Sequence, residues 1–166
     1  DTALLSNYLS NAPVINCAGR MFPVSISYQS RSNNNLEIDV FTAIDSVLRN
    51  NAVGDILVFL PGQAEIKRCL QQASGRFEDE LLFLPLYGAL PLSQQERVLT
   101  KSTGNSRRII FSTNIAETSL TIAGITAVID SGLEKTLQFD VKSGLSRLQT
   151  TYISKASAIQ RAGRGV

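Results

Sequence analysis

A chain of 166 residues that is 43% hydrophobic and has five prolines has enough apolar mass for one globular domain, and it shows no repeat or low-complexity tract. Its formal net charge of +2 is too small to announce nucleic-acid binding, so such a role must rest on where Lys and Arg are placed. The absence of histidine excludes Ser/His/Asp and Cys/His nucleophile systems and HExxH zinc chemistry.

Cys17 and Cys69 lie far apart with no CxxC between them, which argues against a metal site and fits a reducing, cytoplasmic setting. The longest apolar stretch, "LLFLPLYGAL", is interrupted by Pro85 and Gly88 and is too short to cross a bilayer, so the expectation is a soluble protein with no membrane partner.

In chain order, "FPVSISY" alternates like a strand, and the polar "QSRSNNN" after it reads as a connection. "LEIDVFTAIDSVLRN" sets Leu36, Val40, Ile44, Val47 and Leu48 on one helical face, with Asn33 to Asn35 as available caps. "DILVFLPG" reads as a buried strand whose Pro61 and Gly62 turn the chain into the helical "QAEIKRCLQQA". A second buried strand, "LLFLPLYG", precedes Pro91 at a helix start. There Ser93 and Glu96 have capping-box spacing and Val98 and Leu99 face inward. "RRIIFST" and "ITAVIDSG" are two further buried strands. This alternation predicts an α/β fold, a parallel sheet flanked by helices on both faces, with ligands at the carboxyl ends of the strands. After Ser131 the rhythm changes: "LEKTLQFDVKSGLSRLQTTYIS" alternates around a turn, predicting a late β-hairpin insertion at about residues 133–153 with its tip at Lys142, Ser143 and Gly144. No composition shift divides the chain, so residues 1–166 are expected to form one domain.

Three segments bear candidate chemistry. Ser112, Thr113 and Asn114 end a buried strand at the ligand-facing edge, where they either hold a backbone phosphate or simply cap the helix that has Glu117 in its first turn. Gly88 ends another strand and permits close approach of a second backbone, and Tyr87 beside it is either a stacking surface or a buried tyrosine. In the closing "QRAGRGV", Arg164 presents a planar, permanently charged fork suited to phosphoryl oxygens and Gln160 can orient a water. A solvated basic helix is the competing reading of that segment.

In this order and spacing, "DILVFLPGQAEI", "PLYGALPLSQQERV", "STNIAETSLTIAGITAVIDSG" and "ISKASAIQRAGR" resemble the second RecA-like domain of DEAH-box (DEAH/RHA) helicases. "FDVKSGLSRL" looks most like the bacterial HrpB-type branch. The resemblance implies a RecA-like fold and the C-terminal motor half of an ATP-dependent RNA helicase. It implies that Gln160 positions the attacking water, that Arg164 is an arginine finger and that Arg161 supports the nucleotide-binding loop, with Thr121 near the nucleotide. Thr113 and Asn114 would contact the nucleic-acid backbone, Gly88 and Ala89 would lie along the same path, and the hairpin at Lys142 to Gly144 would separate strands. It also implies ATP and Mg2+ as cofactors of the full-length enzyme and none on this piece. The implied partners are an upstream RecA-like domain of the same polypeptide and single-stranded RNA, with DNA left open.

Three departures accompany it. Gly165 and Val166 stand where the pattern continues Ala, Gly, Arg; Ala123 stands where many relatives have an acid; and Leu99 matches a position that is often aromatic. No GxxxxGK[ST] and no DEAH sequence occurs, so the expectation is a fragment of a longer protein, inactive toward ATP by itself. The alternative is a non-catalytic module that binds RNA or a partner protein.

Overall fold

The structure is a computed structural model that describes residues 2–15, 23–30, 35–50, 53–74, 76–77, 81–100, 106–118, 120–140 and 144–165. Its elements are α1 (Thr2–Tyr8), α2 (Leu36–Arg49), β1 (Asp55–Phe59), α3 (Gln63–Ala73), β2 (Leu81–Leu86), α4 (Leu92–Leu99), β3 (Arg107–Ser112), α5 (Ile115–Thr118), β4 (Ile125–Asp130), β5 (Leu133–Asp140), β6 (Leu145–Tyr152) and α6 (Lys155–Ala162).

The four apolar runs form one parallel sheet in the order β2-β3-β1-β4. The chain starts in the middle at β1, goes out to β2, returns to β3 and then crosses to β4. The connections leave β1 in opposite directions, and ligand crevices of open α/β sheets form at the carboxyl ends of such strands.

Strand alternation sends side chains to both faces, and both faces are covered. Ile56, Val58, Ile109 and Phe111 pack under Val40, Phe41 and Ile44 of α2 and Ile66, Cys69 and Ala73 of α3. Leu57, Phe59, Ile110, Leu84 and Leu86 face the other way, against Val98 of α4 and Ala116 of α5. Phe83 stacks on Phe111 at 5.9 Å, and Phe41 meets the Phe111 edge at 6.4 Å. Burial, then the neighbouring Glu37 carboxylate, pushes the Cys69 thiol up to about 12, which makes it packing material rather than a nucleophile.

Helix starts follow local chemistry. The Asn35 side chain accepts from the Glu37 and Ile38 N–H groups at 3.1 and 3.3 Å and caps α2, whereas Asn33 and Asn34 lie outside the described residues. The expected capping box at Ser93 does not form. Pro91 is the N-cap, and its carbonyl accepts from Gln94 and Gln95 at 2.9 and 3.1 Å, so Ser93 falls inside the first turn. The strand expected in "FPVSISY" is also absent from the described residues: Val24, Ile26 and Tyr28 are 43%, 62% and 94% exposed and no neighbouring strand pairs with them. A period-two pattern has no hydrogen-bonding value without a partner strand.

At the amino ends of the strands Arg108 is 1% exposed and fully engaged. Its Nε donates to Asp55 Oδ2 at 2.8 Å, Nη1 to the Val98 and Thr100 carbonyls at 2.9 Å each, and Nη2 to the Ala123 carbonyl at 2.6 Å. One guanidinium therefore joins β1, β3, the end of α4 and the turn before β4. Gly124, at φ +92°, is required in that turn: a Cβ there would stand 3.0 Å from Asp55 Oδ2 in a left-handed backbone conformation.

The predicted hairpin is present as antiparallel β5–β6, paired from Leu133↔Tyr152 to Asp140↔Leu145. Of its expected tip, Gly144 is at φ +66°, and Lys142 and Ser143 lie outside the described residues. A chain of ion pairs runs to its base: Glu37 of α2 to Arg68 at 2.5 Å, Arg68 to Glu65 at 3.3 Å, and Glu65 to Lys135 of β5 at 3.0 Å. Burial pushes the Glu65 carboxyl up, but the Lys135 hydrogen bond, the local backbone hydrogen bond and the Lys135 and Arg68 charges outweigh it and hold the group below its ordinary 4.5.

Two tests follow from this packing. Arg108→Met strands the Asp55 carboxylate and three carbonyls and should cost about 3 kcal/mol in urea unfolding. Because the Glu65 carboxyl is depressed on folding, its contribution is present above 4.5 and fades as pH falls through the lower folded value. The unfolding midpoint of Glu65→Gln should therefore drop less than the parent's between about pH 6 and about pH 3.5.

Candidate active site and nucleic-acid interface

The carboxyl ends of β2 and β3 lie side by side, with Leu86 in register with Ser112. Beyond β2, Gly88 and Ala89 form an exposed turn closed by Leu90 N–H to the Tyr87 carbonyl at 3.0 Å, while Leu90 is buried beneath it. Beyond β3, the Thr113 N–H donates to the Leu86 carbonyl at 3.1 Å, which fixes the two turns against one another. Gly88, Ala89, Thr113 and Asn114 thus share one sheet edge.

The start of α5 bears on the capping alternative. The carbonyls of Thr113 and Asn114 accept from Ala116 and Glu117 at 3.4 and 2.9 Å, and the Ser112 hydroxyl donates to the Thr113 carbonyl at 2.8 Å. That hydroxyl is not committed to a helix N–H. Asn114 is exposed and Thr113 half-buried.

α6 begins at Ser154, whose hydroxyl accepts from Ser157 N–H at 3.1 Å. Its 3.6-residue period then separates Gln160 from Arg161. Gln160 is exposed, whereas Arg161 is 1% exposed and points into the domain. Arg161 Nε donates to Glu117 Oε2 and Nη1 to Asp130 Oδ1, both at 3.0 Å, and its guanidinium lies 4.8 Å over the Phe59 ring. Nη1 also reaches the Leu133 carbonyl at 3.5 Å. Buried among two carboxylates and an aromatic face, Arg161 holds α6 to α5, β4 and the hairpin base and has no free path to solvent.

Arg164 sits in the turn after α6 and is bound differently. Nε donates to the Glu117 carbonyl at 2.9 Å and Nη1 to the Leu120 carbonyl at 3.2 Å, and Nη2 also donates to the Glu117 carbonyl. Its stem lines a small pocket with Leu57, Ala116, Leu120, Ile122 and Ile125. Both partners are neutral carbonyls, that of Glu117 accepting twice, so no carboxylate offsets the cation and two of the five N–H donors of a guanidinium are left over. Thr121 is exposed beside the carbonyl that receives Arg164, as is Ala123. Leu99 is half-buried at the last position of α4.

Glu117 and Asp130 organise this site, and sequence reasoning did not single them out for it. Glu117 reads only as a first-turn acid and Asp130 only as a strand end. Their partner lies 44 and 31 residues away, and no local pattern reports such a pairing. Among the described residues no group of three His, Cys, Asp or Glu side chains gathers as a metal site, and no helix is long and apolar enough to cross a membrane.

Comparison with known proteins places this geometry. The family model described as "Helicase conserved C-terminal domain" matches residues 39–166. The chain is 41% identical over 165 residues to the ATP-dependent RNA helicase HrpB of Escherichia coli (strain K12), covering 99% of this chain and 20% of that protein. It is 41% identical over 175 residues to the probable ATP-dependent RNA helicase DHX34 of Mus musculus, covering 98% of this chain and 15% of that protein. The crystal structure of the E. coli DExH-box NTPase HrpB superimposes with a TM-score of 0.87 at 40% identity, over 99% of this chain and 20% of that one. The chain therefore spans about a fifth or less of the length of these relatives. It belongs to the helicase conserved C-terminal domain family, as a second RecA-like domain of the DEAH-box type.

Proposed function

We propose that this chain is the C-terminal motor half of an ATP-dependent RNA helicase, supplying one wall of an ATP site completed by a P-loop-bearing half of the same polypeptide. The observation that carries this reading is the contrast between the two arginines of "QRAGR". Arg161 is neutralised by Glu117 and Asp130, whereas Arg164 rests on neutral carbonyls with donors to spare. A guanidinium in that condition suits a phosphate oxygen.

Arg164 is the arginine finger, and exposed Gln160, one helical turn before it, orients the attacking water. Arg161 does not touch the phosphates. It belongs to the nucleotide site as the buried anchor that fixes the loop carrying Arg164. Thr121, exposed next to the Leu120 carbonyl, borders the nucleotide. Mg2+-ATP, when bound, supplies the transferable phosphoryl group. The described residues fit its phosphates at Arg164 and offer no acidic cluster for the cation.

Single-stranded RNA runs along the β2–β3 edge, where Thr113 and Asn114 present polar groups to the phosphates and the small Gly88 and Ala89 let the backbone pass. Such contacts read backbone and not base, which suits a motor that must step over any sequence. The hairpin β5–β6 projects from the same end of the sheet and separates strands.

These roles are tested in the longer polypeptide that contains both motor halves. Arg164→Ala should lower RNA-stimulated ATP turnover about 100-fold or more while changing single-strand affinity less than about twofold; equal losses in both would remove the finger assignment. Thr113→Val combined with Asn114→Ala should weaken RNA binding about tenfold in fluorescence anisotropy and leave RNA-independent turnover intact. The 166-residue chain alone should bind RNA too weakly to measure, and tight, salt-dependent binding by it would instead favour a non-catalytic RNA-binding module.

A further inference from the structure

Among the described residues, the hydrogen bonds and ion pairs that hold the hairpin to the domain lie near its base. Beyond Thr136 the described side chains stand in solvent: Leu137, Phe139, Leu145 and Leu148 are 69%, 64%, 60% and 67% exposed. At the base, the Ile153 N–H donates to the Gly132 carbonyl at 3.1 Å, and Lys135 Nζ donates to both oxygens of Glu65, at 3.1 and 3.0 Å. The Glu65 carboxylate is itself steadied by Arg68, which is anchored in turn on Glu37.

Gly62 makes room for this contact. A Cβ at Gly62 would stand 2.9 Å from Lys135 Cδ, 2.9 Å from Lys135 Nζ and 2.9 Å from Glu65 Oε2. Its φ of −168° is extended backbone that any residue adopts, so the missing side chain serves the ion pair and not the turn.

The lever is long relative to its fastening. Asp140 lies five residue steps beyond Lys135, about 17 Å at about 3.4 Å per residue, so a tilt of about 10° at the base moves the far end by about 3 Å. That displacement is close to the spacing of one base along a strand, about 3.4 Å.

We propose that Lys135, seated on Glu65 across Gly62, is a positioning residue for strand separation: it fixes the angle at which the hairpin leaves the motor body. The inference rests on the reading of the hairpin as the strand separator. It gives the ion pair a role in converting ATP turnover into unwinding and no role in turnover itself. A partly buried pair of this kind holds one orientation over its alternatives by about fivefold.

The test uses the polypeptide with both motor halves, measuring ATP turnover on single-stranded RNA and the unwinding rate of a tailed RNA duplex. Lys135→Met and Glu65→Gln should each lower unwinding about fivefold with turnover within about twofold of the parent. Lys135→Arg, which keeps the charge and a fork for the carboxylate, should restore unwinding. Parallel losses of turnover and unwinding would mean that the pair only stabilises the domain, and unchanged unwinding in Lys135→Met would overturn the proposal outright. A shortened hairpin, with residues 139–146 replaced by Asn-Gly, separates the two layers of the argument. If it unwinds normally, the strand-separator reading fails and takes the inference with it. If it fails to unwind while Lys135→Met succeeds, only the positioning role falls.

Discussion

The burial of the Arg161 guanidinium is the constraint on which the functional end of this domain depends. Removing a cation from water costs several kcal/mol, and it is tolerated only where opposite charge and hydrogen-bond acceptors are already fixed in place. Here they come from Glu117 on α5, Asp130 at the end of β4 and the face of Phe59 on β1. The Leu133 carbonyl adds the first residue of the hairpin. No one of these segments can move far without stranding a buried charge. Because α6 has 3.6 residues per turn, anchoring Arg161 inward commits Gln160 to the surface and delivers Arg164 to the following turn, where no carboxylate awaits it. The asymmetry between the two arginines, one paired with carboxylates and one resting on neutral carbonyls, follows from a single packing decision.

The opposite end of the sheet uses the same device for another purpose. Arg108 is as buried as Arg161, but it satisfies its donors on Asp55 and on carbonyls of the connections that enter β3 and β4. It closes the amino end of the sheet and leaves nothing over. With a buried, charge-paired arginine at each end and apolar layers on both faces, the sheet is a stiff frame. Adaptable chemistry is confined to the turns at its carboxyl edge and to the hairpin, which hangs from that edge by a few polar contacts.

Much of this frame was legible in the sequence because burial on both faces leaves a strong trace. The central strands β1 and β3 carry the buried apolar runs Ile56 to Phe59 and Ile109 to Phe111, the edge strands β2 and β4 are apolar but interrupted and only partly buried, and α2 and α3 carry clear apolar faces. β5 and β6, apolar on one face, show alternation instead. What was not legible depends on partners remote in sequence or on backbone geometry. Alternation in "FPVSISY" signals a strand only if an edge is at hand, and the capping-box spacing of Ser93 and Glu96 was overridden when Pro91 turned the chain earlier. Gly62 read as turn chemistry, although its extended φ is open to any residue and what its missing Cβ leaves room for is the Lys135–Glu65 contact. Gly88 to Ala89 and Thr113 to Asn114 were assembled on one edge as strand order requires. That Arg161 faces inward while Arg164 lies on carbonyls was beyond any spacing rule, since it is decided by Glu117, Asp130 and the path of residues 120–122.

The most consequential element is the smallest. α5 is four residues, about 6 Å, too short to absorb strain by bending. At one end the Thr113 N–H ties it to β2; at the other, the Glu117 carbonyl holds Arg164, and the Glu117 carboxylate holds Arg161. A displacement at the Thr113 end that carries α5 along must therefore strain one of two attachments. Breaking the buried Arg161 pair strands a buried charge and costs about 3–5 kcal/mol, whereas the half-buried Arg164 gives up hydrogen bonds to neutral carbonyls that solvent can replace. The attachment whose loss strands no buried charge yields first. The architecture thus makes the Thr113 turn and Arg164 two ends of one rigid piece, with Arg161 as the fixed point between them.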